Sequence, residues 1–133
     1  MNKFVLKSET ARENHDWGSA AWLCHPLSTQ NKDLTVIEAE FLPGKGHDFH
    51  RHPEQEELIY CLAGQIEQWV GEEKQVLNPG DSAFIDADMV HASFNRGTEP
   101  ARILAVLGPC VGEEGYSVVD VAEEEPWKSL GRD

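Results

Sequence analysis

The sequence predicts an all-β protein built as a sandwich or barrel, in one domain over residues 1–133. From Trp17 onward, short apolar stretches are separated by turn residues at close spacing, and no long apolar stripe with a 3.6-residue period interrupts them. A chain of 133 residues, of which 40% are hydrophobic, can bury one core. We expect that core over about residues 34–107, with the two ends of the chain lying around it as arms.

Nine strands are predicted, each an apolar or alternating stretch bounded by turn residues. Residues 42–46 form a turn because proline presets one dihedral angle and glycine adopts positive φ, and residues 78–81 repeat this Pro-Gly pattern. Gly64 and Gly71 mark two further bends. The predicted strands cover residues 20–24, 34–41, 48–52, 57–62, 65–70, 75–77, 82–85, 92–95 and 102–107.

Alternation of side chains along a strand sorts the residues around position 50 between two faces. His50 and His52 share one face, and Asp48 is expected to share it too, while Arg51 points to the opposite face. His47 has the opposite parity to His50. We therefore expect His47 to be exposed or to lie at the rim of any site.

The two histidines on one face, with glutamates directly after them and His91 beyond a hairpin-like stretch, resemble a metal site. Neutral imidazoles combined with one or two carboxylate oxygens suit Fe, Mn, Zn, Ni or Cu better than Ca or Mg. The sequence therefore predicts a site for a divalent transition metal.

Charge and cysteine content exclude several classes of function. A formal net charge of -13 without a basic patch argues against binding to nucleic acid or to an anionic membrane. No apolar run is long enough to cross a bilayer, and residues 1–14 show no export signal, so we expect a cytoplasmic location. The odd number of widely separated cysteines predicts reduced thiols at Cys24, Cys61 and Cys110.

Two spaced motifs resemble those of the cupin superfamily over about residues 34–107. The first motif is a glycine, HxH, glutamate and glycine frame, which is complete here at Gly44, His50, His52, Glu57 and Gly64. The second motif is represented by Gly80, His91 and Asn95. Asp86 and Asp88 stand where the family usually has proline and glycine. Two motifs in the right order are far more specific than a lone HxH pair.

The resemblance implies a jelly-roll barrel, also called a double-stranded β-helix, with four metal ligands inside it. Glu57 is preferred to Glu56 because it keeps the six-residue interval to Gly64 and shares a strand face with Ile59 and Cys61. Glu56 remains the alternative. The ligands implied by the resemblance are His50, His52, Glu57 and His91.

Four protein ligands leave one or two coordination positions open, so catalysis is predicted as the leading hypothesis. We expect an oxidoreductase of dioxygenase type that acts on a small oxygenated organic substrate, with Glu57 as ligand and proton acceptor. Two alternatives remain: a non-catalytic module that binds metal or a small molecule, and a non-oxidative isomerase or lyase that uses the metal as a Lewis acid. The resemblance also suggests a homodimer.

Overall fold

A computed structural model describes residues 3–131 and confirms an all-β jelly roll of two antiparallel sheets. The short helical segments are a 3-10 turn (Lys7–Glu9), α1 (Pro26–Thr29) and α2 (Trp127–Leu130). None of them is long and apolar enough to cross a membrane. The strands found in residues 3–131 are β1 (Glu13–His15), β2 (Gly18–Cys24), β3 (Thr35–Phe41), β4 (Gly46–Arg51), β5 (Glu56–Ala63), β6 (Ile66–Val70), β7 (Glu73–Leu77), β8 (Ser82–Ile85), β9 (His91–Phe94), β10 (Ala101–Gly108) and β11 (Val119–Asp120).

The strand order is β1-β2-β3-β10-β5-β8 in the six-stranded sheet and β11-β4-β9-β6-β7 in the five-stranded sheet. All nine predicted strands are present, with bounds that differ by at most two residues at either end. The sequence did not reveal two edge strands. β1 lies at the edge of the six-stranded sheet, and β11 lies at the edge of the five-stranded sheet. Both are short and carry no apolar alternation, so they are strands because they pair with β2 and β4.

Two apolar clusters support the sheets. The larger cluster lies between them and includes Phe41, Ile59 and Leu107, each 3% exposed or less. The smaller cluster lies on the other side of the five-stranded sheet, where the C-terminal segment covers it. Its buried members are Phe49, Trp69, Ala92 and Val121. At these positions the five-stranded sheet is therefore covered by packed side chains on both faces. This packing holds the backbones of β4 and β9 in place.

A β-bulge in β4 makes two of the parity predictions wrong. In the pairing with β9, His47 lies opposite Ser93 and His50 lies opposite His91, so β4 has one residue more than its partner over this interval. The extra residue reverses the alternation. His47 therefore lies on the same side as His50, with their rings stacked at a centroid distance of 3.6 Å. Asp48 is exposed instead of facing inward.

Candidate metal centre

The structure brings the four predicted ligand side chains into one buried cluster. Their candidate ligand atoms all lie within 4.8 Å of one another. Each residue is 5% exposed or less, so water does not screen the charges within the cluster. The cluster consists of His50, His52, Glu57 and His91.

Both sheets contribute to this cluster. His50 and His91 are direct partners across β4 and β9 in the five-stranded sheet. Glu57 lies in β5 of the six-stranded sheet, opposite Leu107 of β10. His52 follows directly after β4, at the start of the turn that leads to β5. The cluster therefore exists only where the two sheets face each other.

Of the two glutamates considered from the sequence, only Glu57 belongs to the cluster. Glu57 is buried, whereas the preceding side chain of Glu56 is exposed on the opposite face of β5. Ile59 and Cys61 are buried on the same face as Glu57. Strand alternation was therefore a sufficient guide in β5, which has no bulge at this point.

The three imidazoles are held in one tautomer by backbone carbonyls. Nδ1 of His50 donates to the Asp48 carbonyl at 2.6 Å, and Nδ1 of His91 donates to the Met89 carbonyl at 2.9 Å. Nδ1 of His52 donates to the Ser117 carbonyl at 2.7 Å. A carbonyl can only accept, so in each neutral ring the proton is on Nδ1 and Nε2 carries the lone pair. This arrangement is typical of metal-ligating histidines.

The carboxylate of Glu57 lies against two of these lone pairs. Its Oε1 is 2.7 Å from Nε2 of His91 and 3.2 Å from Nε2 of His52. Oε1 of Glu57 and Nε2 of His91 have no hydrogen-bond partner among the described residues. Two buried acceptors at this distance require a cation or a proton between them. The donor set, three imidazole nitrogens and one carboxylate, therefore fits a divalent metal ion.

The pKa shifts agree with this chemistry. Burial acts to raise the pKa of Glu57, but N–H donation from Nε2 of His52 or His91 outweighs it and holds the pKa well below its usual range. With both Nε2 atoms carrying lone pairs, a bound cation would take the place of that proton. Burial holds the pKa of His50 well below 6.5. Burial also lowers the pKa of His47 to about 4. His47 and His50 are therefore neutral at pH 7.

Gln55 ties the segment after β10 to the cluster. Its side chain is 1% exposed, and Nε2 donates to the carbonyls of Pro109 and Gly115, each at 2.9 Å. Its Oε1 accepts from the amide of Ser117 at 3.1 Å. Because Ser117 in turn accepts from His52, Gln55 orients that histidine through one intervening residue. No sequence pattern distinguished Gln55 from the charged residues around it.

The turn before His91 keeps its geometry without the family's usual glycine. Asp88 has φ of 67°, in the left-handed region that aspartate tolerates better than most residues. Its amide donates to the carbonyl of His52 at 2.9 Å. Its carboxylate accepts from Arg51 at 2.6 Å. Asp88 therefore joins the turn to the strand that carries His50 and to His52.

A cavity of about 270 Å³ between the sheets reaches the cluster. Three cluster members line it: His50, Glu57 and His91. Tyr116 also lines it and was not identified from the sequence, because its position depends on the fold of the segment after β10. Burial and the nearby charge of Glu57 raise the pKa of Tyr116, so its hydroxyl is protonated. A groove of about 410 Å³ beside the N-terminal segment does not include any of the cluster residues.

Comparison with known proteins gives concordant results. The family model described as a cupin domain matches residues 37–107. The tetracenomycin polyketide synthase protein TcmJ of Streptomyces glaucescens is 26% identical over 116 residues, which span 87% of this chain and 78% of TcmJ. Quercetin 2,3-dioxygenase of Bacillus subtilis is 35% identical over 74 residues, 56% of this chain but 22% of that enzyme.

Among solved structures, KdgF from Halomonas sp. superposes with a TM-score of 0.74 at 18% sequence identity. The match covers 85% of this chain and 98% of KdgF. At this identity the likeness shows the fold alone.

Proposed function

The chain belongs to the cupin family, and on that premise we propose that it is a metal-dependent oxidoreductase of dioxygenase type acting on a small oxygenated organic substrate. The observation that carries the proposal is the buried three-histidine, one-glutamate cluster that opens into an apolar cavity. The similarity to quercetin 2,3-dioxygenase over 74 residues supports the reaction type.

The residues that would hold the metal are His50, His52, Glu57 and His91. When bound there, a redox-active divalent metal supplies the chemistry that the side chains lack, the reaction of an oxygen-chelating substrate with dioxygen. The three histidines are fixed by their Nδ1 hydrogen bonds to backbone carbonyls, which leave each Nε2 atom as the one that would bind the metal.

Glu57 has a second role in this proposal, as acceptor of the proton that a substrate hydroxyl loses on chelation. It is the buried carboxylate of the cavity wall, whereas Glu13, the other carboxylate there, is exposed at the mouth. A base must lie within hydrogen-bonding reach of the proton it takes. Glu57 meets that requirement for a substrate that enters the cavity and reaches the cluster.

The test is oxygen consumption by protein reconstituted separately with Fe(II), Mn(II), Ni(II), Cu(II) or Zn(II) and supplied with catechols and enediols. We expect oxygen uptake to match substrate loss with at least one redox-active metal and to be absent with Zn(II). Glu57→Gln should abolish uptake, and the exposed neighbour variant Glu56→Gln should retain it. Unchanged substrate turnover under nitrogen would refute a dioxygenase.

A non-oxidative reaction is the second candidate, because a set of three imidazoles and one carboxylate also suits redox-inert Zn(II). In this case the metal would act as a Lewis acid on a carbonyl or enol oxygen. The same assay separates the two functions, since the non-oxidative reaction proceeds with Zn(II) and without oxygen. Binding without any turnover would instead support a non-catalytic module.

A homodimer is the remaining part of the proposal. On the outer face of the six-stranded sheet, Val36, Val106, Leu58 and Phe84 stand side by side across four adjacent strands. Leu58 is 38% exposed and Phe84 is 54% exposed. Light scattering should give about twice the chain mass of 14.9 kDa, and Leu58→Glu should return it to one chain. A wild-type mass of one chain would refute the dimer.

A further inference from the structure

We propose that the cavity takes a neutral aromatic molecule of one or two fused rings that presents a pair of oxygen atoms to the cluster, and that it rejects carboxylated or phosphorylated compounds. The chelating end of this ligand rests on the proposed metal-dependent function. The remainder rests on the cavity wall alone.

The six-stranded sheet supplies an apolar wall with room beside it. Three alanines, Ala20, Ala39 and Ala105, point into the cavity where larger side chains would fill it. Branched and aromatic side chains complete this wall, which lies across from the histidines of β4 and β9. These further side chains are Trp17, Trp22, Ile37, Phe41, Ile59, Ile103 and Leu107. Such a surface gains free energy by burying an apolar ring rather than a hydrated group.

The charge of the wall selects against anions. Within the described chain, no lysine or arginine lines this cavity, and its two carboxylates are Glu13 and Glu57. His15, at the mouth, lies 3.6 Å from Glu13, which would offset its charge if it were protonated. A carboxylate or phosphate in the apolar part of the cavity would therefore have no cationic partner. The net charge of -13 on the whole chain also disfavours the approach of an anionic ligand.

Size and aromatic geometry favour one or two rings. A volume of about 270 Å³ lies just below the range usual for drug-sized ligands. Trp17 packs at 5.4 Å from Phe41, and Trp22 meets Tyr116 edge-on at 5.6 Å, so the four rings line the cavity in two pairs. Aromatic rings prefer offset-stacked or edge-to-face contact with other rings. A ring-containing ligand can make such contacts with either pair.

The polar side of the cavity can bind a further polar substituent of the ligand besides the chelating pair. Oγ of Ser93 donates to Oε1 of Gln68 at 2.6 Å, so its proton is already used. The ring of His47 stacks on His50 and makes no hydrogen bond to another described residue. His47 and the protonated hydroxyl of Tyr116 can therefore each exchange a hydrogen bond with a ring hydroxyl or carbonyl.

Calorimetric titration of the Zn(II)-loaded protein under nitrogen tests the inference without oxidative turnover. The probes are 2,3-dihydroxynaphthalene and 3,4-dihydroxybenzoate, which share the chelating diol and differ in a second ring or a carboxylate. We expect the benzoate to bind at least about 100-fold more weakly. Equal or tighter binding of the benzoate would overturn the inference, and so would failure of the naphthalene diol to bind.

Three variants locate the binding. Ala105→Met fills the cavity and should lower the affinity for the naphthalene diol at least about tenfold. Leu104→Met, at the neighbouring outward-facing position, should leave that affinity unchanged. Glu13→Lys adds a cation at the exposed mouth and should improve benzoate binding several-fold relative to the diol. Circular dichroism and metal content verify the fold of each variant. Equal diol affinity in Ala105→Met and wild type would contradict binding in this cavity.

The inference and the proposed function fail in different ways. Oxygen-dependent turnover of a carboxylated substrate would overturn the inference and keep the dioxygenase. Loss of the metal site would remove chelation, yet 2-naphthol should still bind to the metal-free protein through the apolar wall. Absence of that binding would count against the inference whatever the metal does.

Discussion

Replacing Glu57 by glutamine tests the metal centre with minimal change in shape. In the native cluster, Oε1 of Glu57 lies 2.7 Å from Nε2 of His91 and 3.2 Å from Nε2 of His52, with all three residues buried. Glutamine keeps an oxygen in this position but removes the negative charge that a divalent cation needs. We therefore expect Glu57→Gln to fold and to bind metal weakly.

The size of the effect follows from the four-ligand geometry. Structural zinc sites contribute about 10–16 kcal/mol, so each of four ligands accounts for about 2.5–4 kcal/mol. A residual amide ligand brings the loss toward the lower end, which corresponds to an affinity about 100-fold weaker. At saturating metal this removes about 2.7 kcal/mol of stabilisation. With an unfolding entropy of about 2.1 cal/mol/K per residue over 133 residues, the melting temperature of the metal-loaded protein should fall by about 10 °C.

Two measurements check the prediction: competition with a coloured chelator for the affinity, and thermal unfolding with and without metal for the stability. Glu56→Gln is the matched control, since Glu56 is the adjacent residue and is exposed on the other face of β5. The control should differ from wild type by less than about threefold in affinity. If Glu57→Gln kept wild-type affinity, or if Glu56→Gln lost it instead, Glu57 would not be a ligand.

Further predictions concern His47, Gln55 and Phe49. In the metal-free protein, burial lowers the pKa of His47 from 6.5 to about 4, so the unfolded chain binds a proton that the folded chain does not, and stability falls as the pH drops through that window. His47→Gln should reduce the dependence of the free energy of unfolding on pH by up to about 1.4 kcal/mol per pH unit between these pH values, as measured by urea unfolding. The same dependence in wild type and variant would contradict this role of His47. Gln55→Ala leaves the Pro109 carbonyl and the Ser117 amide without their partner, while the Gly115 carbonyl keeps its bond from Thr35, and it should lower the free energy of unfolding by about 2–4 kcal/mol. The same variant should also bind metal about 10–100-fold more weakly. The control Gln65→Ala, at an exposed position, should change neither the free energy of unfolding nor the metal affinity. Phe49→Ala should lower the free energy of unfolding by about 3–5 kcal/mol but leave the metal stoichiometry unchanged at low temperature. Loss of metal from the folded variant would show that the apolar cluster around Phe49 positions the metal ligands.

The cluster residues could be predicted because two local rules hold around them. His50 and His52 are separated by one residue near the end of β4, beyond its bulge, and Glu57 begins a strand with regular alternation. The spacing of the two motifs then added His91, on a strand that pairs directly with β4. The relations among His50, His52 and Glu57 are visible within a few residues of sequence, whereas His91 was added by the resemblance of a second motif.

The features that escaped prediction depend on contacts between distant segments. One extra residue in β4 turns His47 inward and Asp48 outward, and no composition signal marks it. Gln55 and Tyr116 join the site through a segment of irregular backbone after β10. A buried glutamine in a charged stretch looks like a surface residue until its partners are known.

The partners of His52 and Glu57 also determine when the site can form. All four candidate ligands precede residue 92, yet Glu57 lies in a sheet whose strand β10, between β3 and β5, is made of residues 101–108. His52 acquires its Nδ1 partner only at Ser117. During synthesis, a chain that has emerged as far as β9 carries every ligand but lacks both the strand between β3 and β5 and the carbonyl that holds His52. We expect metal to be captured after the last strands have docked, so that an incomplete chain does not trap it in a wrong geometry.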